Sequence, residues 1–341
     1  MRLTLVISLL IACTARATTG RELMSASWQR PRVLVVNGCS GSTFVMKVAR
    51  RLFLAHGLTV YGWEYELLNP AKNPFFNRSA VQKHGTSAAT ARALEAIHDD
   101  ATRRRSVLLF NGAPGYLSEA VAAVLRKRDA RLVHAWRRNV LDTLVCEVRD
   151  CFAHTTPTGK RAPGAADALG WPVDARTGAR SSACFEQRRS KRANSTAATT
   201  AAAVMGPTKA HLNVSSLVGL LPLDSPSRVA SFLRSRRLAT AVSLSTEELS
   251  DFSLAAPSRE EAQVHLRRSA AAWERALTAW GVPTNAEQLS RLLAAERDRL
   301  QATPHVVTPH AQTIANMAEV TETLRRAGPA YAALLRTDSG G

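Results

Sequence analysis

The chain has no apolar run near the roughly 20 residues that cross a bilayer, its first seventeen residues included, so no stable membrane span is expected. Acidic side chains are scarce: 27 Asp and Glu stand against 45 Lys and Arg, giving a formal charge of +18. Such an excess attracts polyanions, whether nucleic acid, anionic glycans or nucleotide phosphates; an Arg-rich, solvated surface has the same composition. Zinc-finger spacing and the aromatic-glycine signature of RNA-binding sheets are both missing, which leaves a nucleic-acid module without support. No His, Cys or Asp cluster has ligand spacing, so no metal centre is expected. There is no internal repeat.

What is present begins with a short targeting pattern. Met1-Arg2 gives a positive start, Leu3 to Cys13 is apolar apart from Thr4 and Ser8, and Ala15-Arg16-Ala17 offers a small-x-small cleavage site. This is the layout of a secretory signal over residues 1–17; an uncleaved anchor or an organelle transit peptide is the alternative. Three glycosylation sequons agree with a secretory route: Asn77-Arg78-Ser79, Asn194-Ser195-Thr196 and Asn213-Val214-Ser215. Cys39, Cys146, Cys151 and Cys184 follow the signal. A Cys151–Cys184 disulfide and four unpaired thiols are both compatible with that spacing.

Periodicity predicts strands at Arg32–Val36, Leu58–Trp63, Ser106–Phe110 and Arg131–Trp136, with helices at Thr43–Ala55, Ser87–Asp100 and Leu117–Lys127 between them. That alternation implies an α/β fold, a doubly wound and mostly parallel sheet with helices on both faces. The domain spans residues 32–336 and ends in a helical C-terminal portion. Residues 154–207, rich in Thr, Ala, Ser, Gly, Arg and Lys, read as a partly disordered insertion. Helical spacing returns at Leu217–Leu221, Arg228–Arg237 and Ser258–Gly281, where Trp273, Leu277 and Trp280 form a core stripe.

The chemistry concentrates in two turns. The first, Gly38-Cys39-Ser40-Gly41-Ser42-Thr43, joins an apolar strand to a helix start, where backbone N–H groups can face an anion. It lacks the Gly-Lys-Ser/Thr of nucleoside triphosphatases and the Gly-x-Gly-x-x-Gly of dinucleotide sites. A hydrolase elbow would need glycine where Ser42 stands, and a cysteine phosphatase loop would need arginine where Val45 stands. A tight strand-to-helix turn accounts for the same residues. The second turn is Arg137-Arg138-Asn139, followed by a helix opening with Asp142. A guanidinium binds phosphate bidentately and the helix end assists, so two such turns suit one ligand with two separated phosphates.

The pair resembles the cofactor signature of the sulfotransferases that use 3′-phosphoadenosine 5′-phosphosulfate. Ser40-Gly41-Ser42-Thr43-Phe44 is similar to their first loop, and Arg138, Asn139, Asp142 and Cys146 fall on their second motif. Glu247-Glu248-Leu249 and Ile314-Ala315-Asn316-Met317-Ala318-Glu319-Val320 resemble later segments of the family. The resemblance implies a phosphate-loop type of fold. It places the 5′-phosphosulfate on Gly38, Cys39, Ser40, Gly41, Ser42, Thr43 and Phe44, and the 3′-phosphate on Arg138 and Cys146. Cys39 stands where the family often has Lys or Arg, Cys146 where it has serine, and Val140 where it has proline.

Transfer of a sulfuryl group needs a base beside the acceptor hydroxyl or amine. Secretory relatives use a glutamate after the second strand, which here makes Glu66 and Glu64 the candidates; two solvated carboxylates paired with basic neighbours are the alternative. His98 and His134 are weaker candidates. The acceptor expected is a glycan or small molecule held by the Asn69–Phe76 loop and the later helices, in the Golgi lumen or outside the cell. A non-catalytic, secreted basic binding protein on the same fold is the rival expectation, favoured by Cys39 and Cys146. A kinase-like phosphotransferase is disfavoured by the missing lysine.

Overall fold

The computed structural model describes residues 29–36, 41–62, 67–68, 78–153, 212, 214–215, 217–221, 225–254, 258–300 and 310–335. Among them lie five strands: β1 (Arg32–Val36), β2 (Val60–Tyr61), β3 (Val107–Gly112), β4 (Arg131–Trp136) and β5 (Thr240–Ser245). All pair in parallel, in the spatial order β2-β3-β1-β4-β5. β1 is central, with Val33 opposite Phe110 on one side and Leu132 on the other. All five of its residues are buried, as expected of a strand covered on both faces.

Side chains of a strand alternate between faces, so each strand feeds two cores. Leu34, Val36, Leu109, Val133 and Leu244 form one of them. It is covered by α1 (Ser42–Ala55), through Val45, Val48, Leu52 and Phe53, and by α8 (Arg259–Ala279). Val33, Val35, Leu108, Phe110 and Leu132 face the other way, against α2 (Arg78–Arg103), α3 (Glu119–Lys127) and α6 (Ser225–Ser235). This is the doubly wound α/β sheet expected. The tryptophan stripe is core: Trp273 and Trp280 are fully buried, Trp280 meets Phe53 edge-on at 5.8 Å, and the Trp273 indole N–H donates to Leu249 O at 2.9 Å. Truncating either indole to Ala would remove about 3–5 kcal/mol of stability.

A third apolar cluster lies outside the sheet. Leu141, Leu144 and Val145 of α4 (Val140–Ala153) pack with Leu212, with Leu217 of the short α5 (Leu217–Leu220), and with Leu221. Ile314, Val320, Leu324 and Leu334 complete it from the C-terminal segment 310–335. The order after β5 is α7 (Thr246–Ser250), α8, α9 (Ala286–Leu300), α10 (His310–Thr313), α11 (Met317–Ala327) and α12 (Pro329–Ala332). Asn316 caps the join: its Oδ1 accepts from Leu212 N at 2.9 Å and its Nδ2 donates to Leu212 O at 2.7 Å. The Ile314–Val320 motif is therefore a strut, with Ile314 and Val320 in the cluster and Asn316 paired to backbone.

Element ends differ from the sequence expectation where local chemistry decides. α2 begins at Arg78 rather than Ser87 and is broken at Gly85, whose φ of 75° and ψ of 159° are not helical. α3 starts at Glu119, because Ser118 accepts from Val121 N and caps it, and a 3-10 turn at Pro114–Tyr116 precedes it. α1 ends at Ala55, and Gly57 turns the chain: with φ of 73° it lets Leu58 N reach Phe53 O and Gly57 N reach Leu54 O. The signal segment 1–17, the sequon asparagines Asn77, Asn194 and Asn213, Cys184 and the insertion 154–207 lie outside the described residues. Among the described residues no helix is long and apolar enough to cross a membrane.

Candidate functional site

β1 and β4 are neighbours, with Val36 opposite Ala135 at their carboxyl ends. The chain leaving β1 travels to β2, beyond β3, while the chain leaving β4 travels to β5 on the opposite side. Two neighbouring strands whose exits diverge leave a crevice between their carboxyl ends, the usual ligand position in open α/β sheets. The described part of the first motif turn, Gly41–Thr43, and the second turn at Arg138 meet there.

The first wall is the start of α1. Gly41 holds φ 75°, a left-handed conformation that other residues adopt at a cost of about 1–2 kcal/mol. Gly41 has no side chain to cap the helix, and no acidic residue occupies the first turn. The helix's first closed bond is Val45 N to Gly41 O at 3.1 Å, so the amides of Ser42, Thr43 and Phe44 have no acceptor inside the helix. Thr43 is exposed and Ser42 half-buried. Phe44 turns inward, its ring 6.0 Å from that of Phe252, and so ties the turn to the core.

The second wall is the start of α4, and it is fully capped. Asn139 Oδ1 accepts from Leu141 N at 3.2 Å and Asp142 N at 3.3 Å, while its Nδ2 donates to Leu334 O at 2.9 Å. Asp142, with only 9% of its side chain exposed, sits 3.1 Å from the Arg137 guanidinium and 2.8 Å from His310 Nε2. Burial, with Arg137 adding to it, pushes His310 down to about 4, so the ring is neutral at pH 7. With its proton on Nε2 it donates to Asp142. Burial also lowers the Arg137 guanidinium, against the attraction of Glu247.

The third wall is Ser245-Thr246-Glu247-Glu248, where β5 enters α7. Ser245 and Glu248 form a capping box: Glu248 N donates to Ser245 Oγ, and Ser245 N donates to Glu248 Oε2 at 2.8 Å. Glu248 Oε1 lies 3.3 Å from the Arg138 guanidinium and 3.4 Å from that of Arg275. Burial raises the Glu248 carboxyl, but the Ser245 bonds and the two arginines outweigh it and hold the group below the ordinary range. Both Glu247 oxygens lie 3.1 Å from Arg138 N, which donates to them. Thr246 closes the ring, since a Cβ on Gly41 would stand 4.0 Å from Thr246 Cβ.

The structure thus brings Gly41, Ser42, Thr43, Phe44 and Arg138 to one crevice. Gly38, Cys39, Ser40, Glu64 and Glu66 lie outside the described residues. Cys146 is disulfide-bonded, which removes the S–H a phosphate could accept from; the thiol donor expected at this position is corrected accordingly. His98 is structural: 3% exposed, it bonds Gln29 O through Nε2 at 2.7 Å. His134 is buried in the sheet, its Nδ1 2.8 Å from Ser243 Oγ, and burial lowers it to about 4.

Glu247, Glu248 and His310 join the site without having been singled out for it. Ser245-x-x-Glu248 was the available signal for the first two, a capping box directly after an apolar run. His310 stands 168 residues from Asp142 and carries no local mark. Compared with protein-family models, with curated proteins and with solved structures, the chain finds no match.

Proposed function

We propose that the protein is a sulfotransferase moving the sulfuryl group from 3′-phosphoadenosine 5′-phosphosulfate to a hydroxyl or amine of an acceptor such as a glycan. One observation carries the reading: the uncapped, acid-free start of α1 and the arginine pair after β4 share the crevice at the switch point of the sheet. The finer fold assignment, a phosphate-loop type of sheet, rests on the same turn. When bound, the cofactor supplies an activated sulfuryl group on a phosphate that leaves. The α1 amides and helix end suit the 5′-phosphate, and the Arg138 guanidinium suits the 3′-phosphate. Glu66 or Glu64 takes the proton from the acceptor. A secretory location rests on residues 1–17 and the three sequons.

The disulfide at Cys146 favours a second reading, a secreted basic protein that binds a nucleotide without turning it over. Calorimetric titration with 3′-phosphoadenosine 5′-phosphate, beside AMP and ATP, tests the shared cofactor site. Binding that requires the 3′-phosphate and disappears in Arg138→Ala supports it; absence of binding by folded protein overturns it. Sulfate transfer from the labelled cofactor onto a glycan panel then separates enzyme from binder.

A further inference from the structure

We infer that Glu247 is a built-in counter-anion at the end of β4, and that a ligand's phosphate takes its place on the Arg138 amide rather than adding to it. The inference rests on the anion-site reading above. Three cations, Arg137, Arg138 and Arg275, meet three carboxylates here, Asp142, Glu247 and Glu248. Two of the carboxylates are committed to architecture. Asp142 is buried between Arg137 and His310, and Glu248 closes the cap on Ser245.

Glu247 is different. Both of its oxygens converge on the single N–H of Arg138, and Oε2 also accepts from Thr246 Oγ1 at 3.4 Å. A carboxylate straddling one backbone amide, with the Arg137 guanidinium near enough to be attracted by it, occupies the position of a phosphate edge. With Glu247 in place the three arginines are matched by three carboxylates and the Arg138 amide is occupied. With its side chain swung out, the cluster is cationic and the Arg138 amide is open. The swing needs only rotamer changes in a half-buried side chain, so it is cheap but not free. Glu247 thereby sets affinity: it favours a doubly charged terminal phosphate, which outcompetes a carboxylate, over singly charged esters.

Calorimetry with 3′-phosphoadenosine 5′-phosphate tests this on the wild-type chain, Glu247→Gln and Glu247→Asp. Both variants should bind about tenfold more tightly, the scale of one charge-assisted contact no longer displaced. The aspartate keeps the charge but withdraws the oxygens by one methylene, so a gain in both variants identifies the contact. A gain in Gln alone would assign the effect to general charge and overturn the inference. Unchanged or weaker binding in both, with wild type binding, would also overturn it while leaving the anion site standing. Binding by Glu247→Gln where wild type shows none would support it most strongly. Absence of binding in all three folded proteins would overturn the anion site itself, and the inference with it.

Discussion

Two strand-to-helix turns stand side by side at the carboxyl edge of the sheet, and they solve the same electrostatic problem in opposite ways. A helix start presents amides without partners and a positive dipole end. At α4 the chain supplies its own anions and acceptors: Asn139 caps, Asp142 occupies the first turn, and Glu247 covers the amide of Arg138. At α1 it supplies neither a side-chain cap nor a first-turn acid. In a chain short of carboxylates, three are spent around one turn and none at the start of the other helix. A start with neither cap nor acid among the described residues is what the proposed anion site requires.

That contrast can be broken from the self-satisfied side first. Asp142→Ala leaves the half-buried Arg137 and the buried His310 without their shared carboxylate, and should cost about 3 kcal/mol in urea unfolding, the scale of a broken buried pair. Acid attacks the fold more gradually. His310 and His134 have folded pKa values near 4, below the ordinary histidine value of 6.5. The unfolded chain therefore binds protons first, and stability falls as pH drops from about 6.5 towards 4. His310→Gln keeps an N–H for Asp142 without the titration, so its urea midpoint should decline less steeply across that window. Removing the cap is milder still: Asn139→Ala should cost about 1 kcal/mol, readable as a lowered melting temperature.

The smallest effect sharpens the comparison from the other side. Thr43→Glu places an acid in the first turn of α1 on an exposed position, giving α1 what α4 already has. It should raise stability by about 0.5 kcal/mol through the helix dipole. The same variant should lose binding of 3′-phosphoadenosine 5′-phosphate. Gain of stability without loss of binding would mean that the α1 start is only a turn.

Much of the scaffold was legible because one physical signal dominates each element. Val33–Val36, Leu108–Phe110 and Leu132–Ala135 are apolar runs too short for helices, and they are strands. The spacing of Trp273, Leu277 and Trp280 marks a buried helical stripe. The limits of α2 and β2 were less legible, since Gly85 interrupts a helix that continues on both sides and only Val60–Tyr61 pair in the second strand. At the site, the glycine turn and Arg138 were visible as motifs. Their surroundings were not. Glu247 meets Arg138 only because the strand order makes β5 the neighbour of β4, and His310 meets Asp142 only through the third apolar cluster. Such contacts depend on topology, which no local window of sequence contains.

The pairing of Asn316 with both backbone groups of Leu212 has a consequence for how the gene can vary. Leu212 and Val145 belong to one cluster, so the pairing fastens Leu212 beside α4. Only an amide carries a donor and an acceptor side by side, so aspartate at this half-buried position would keep the bond from Leu212 N and lose the bond to Leu212 O, and position 316 admits far fewer residues than its partial exposure suggests.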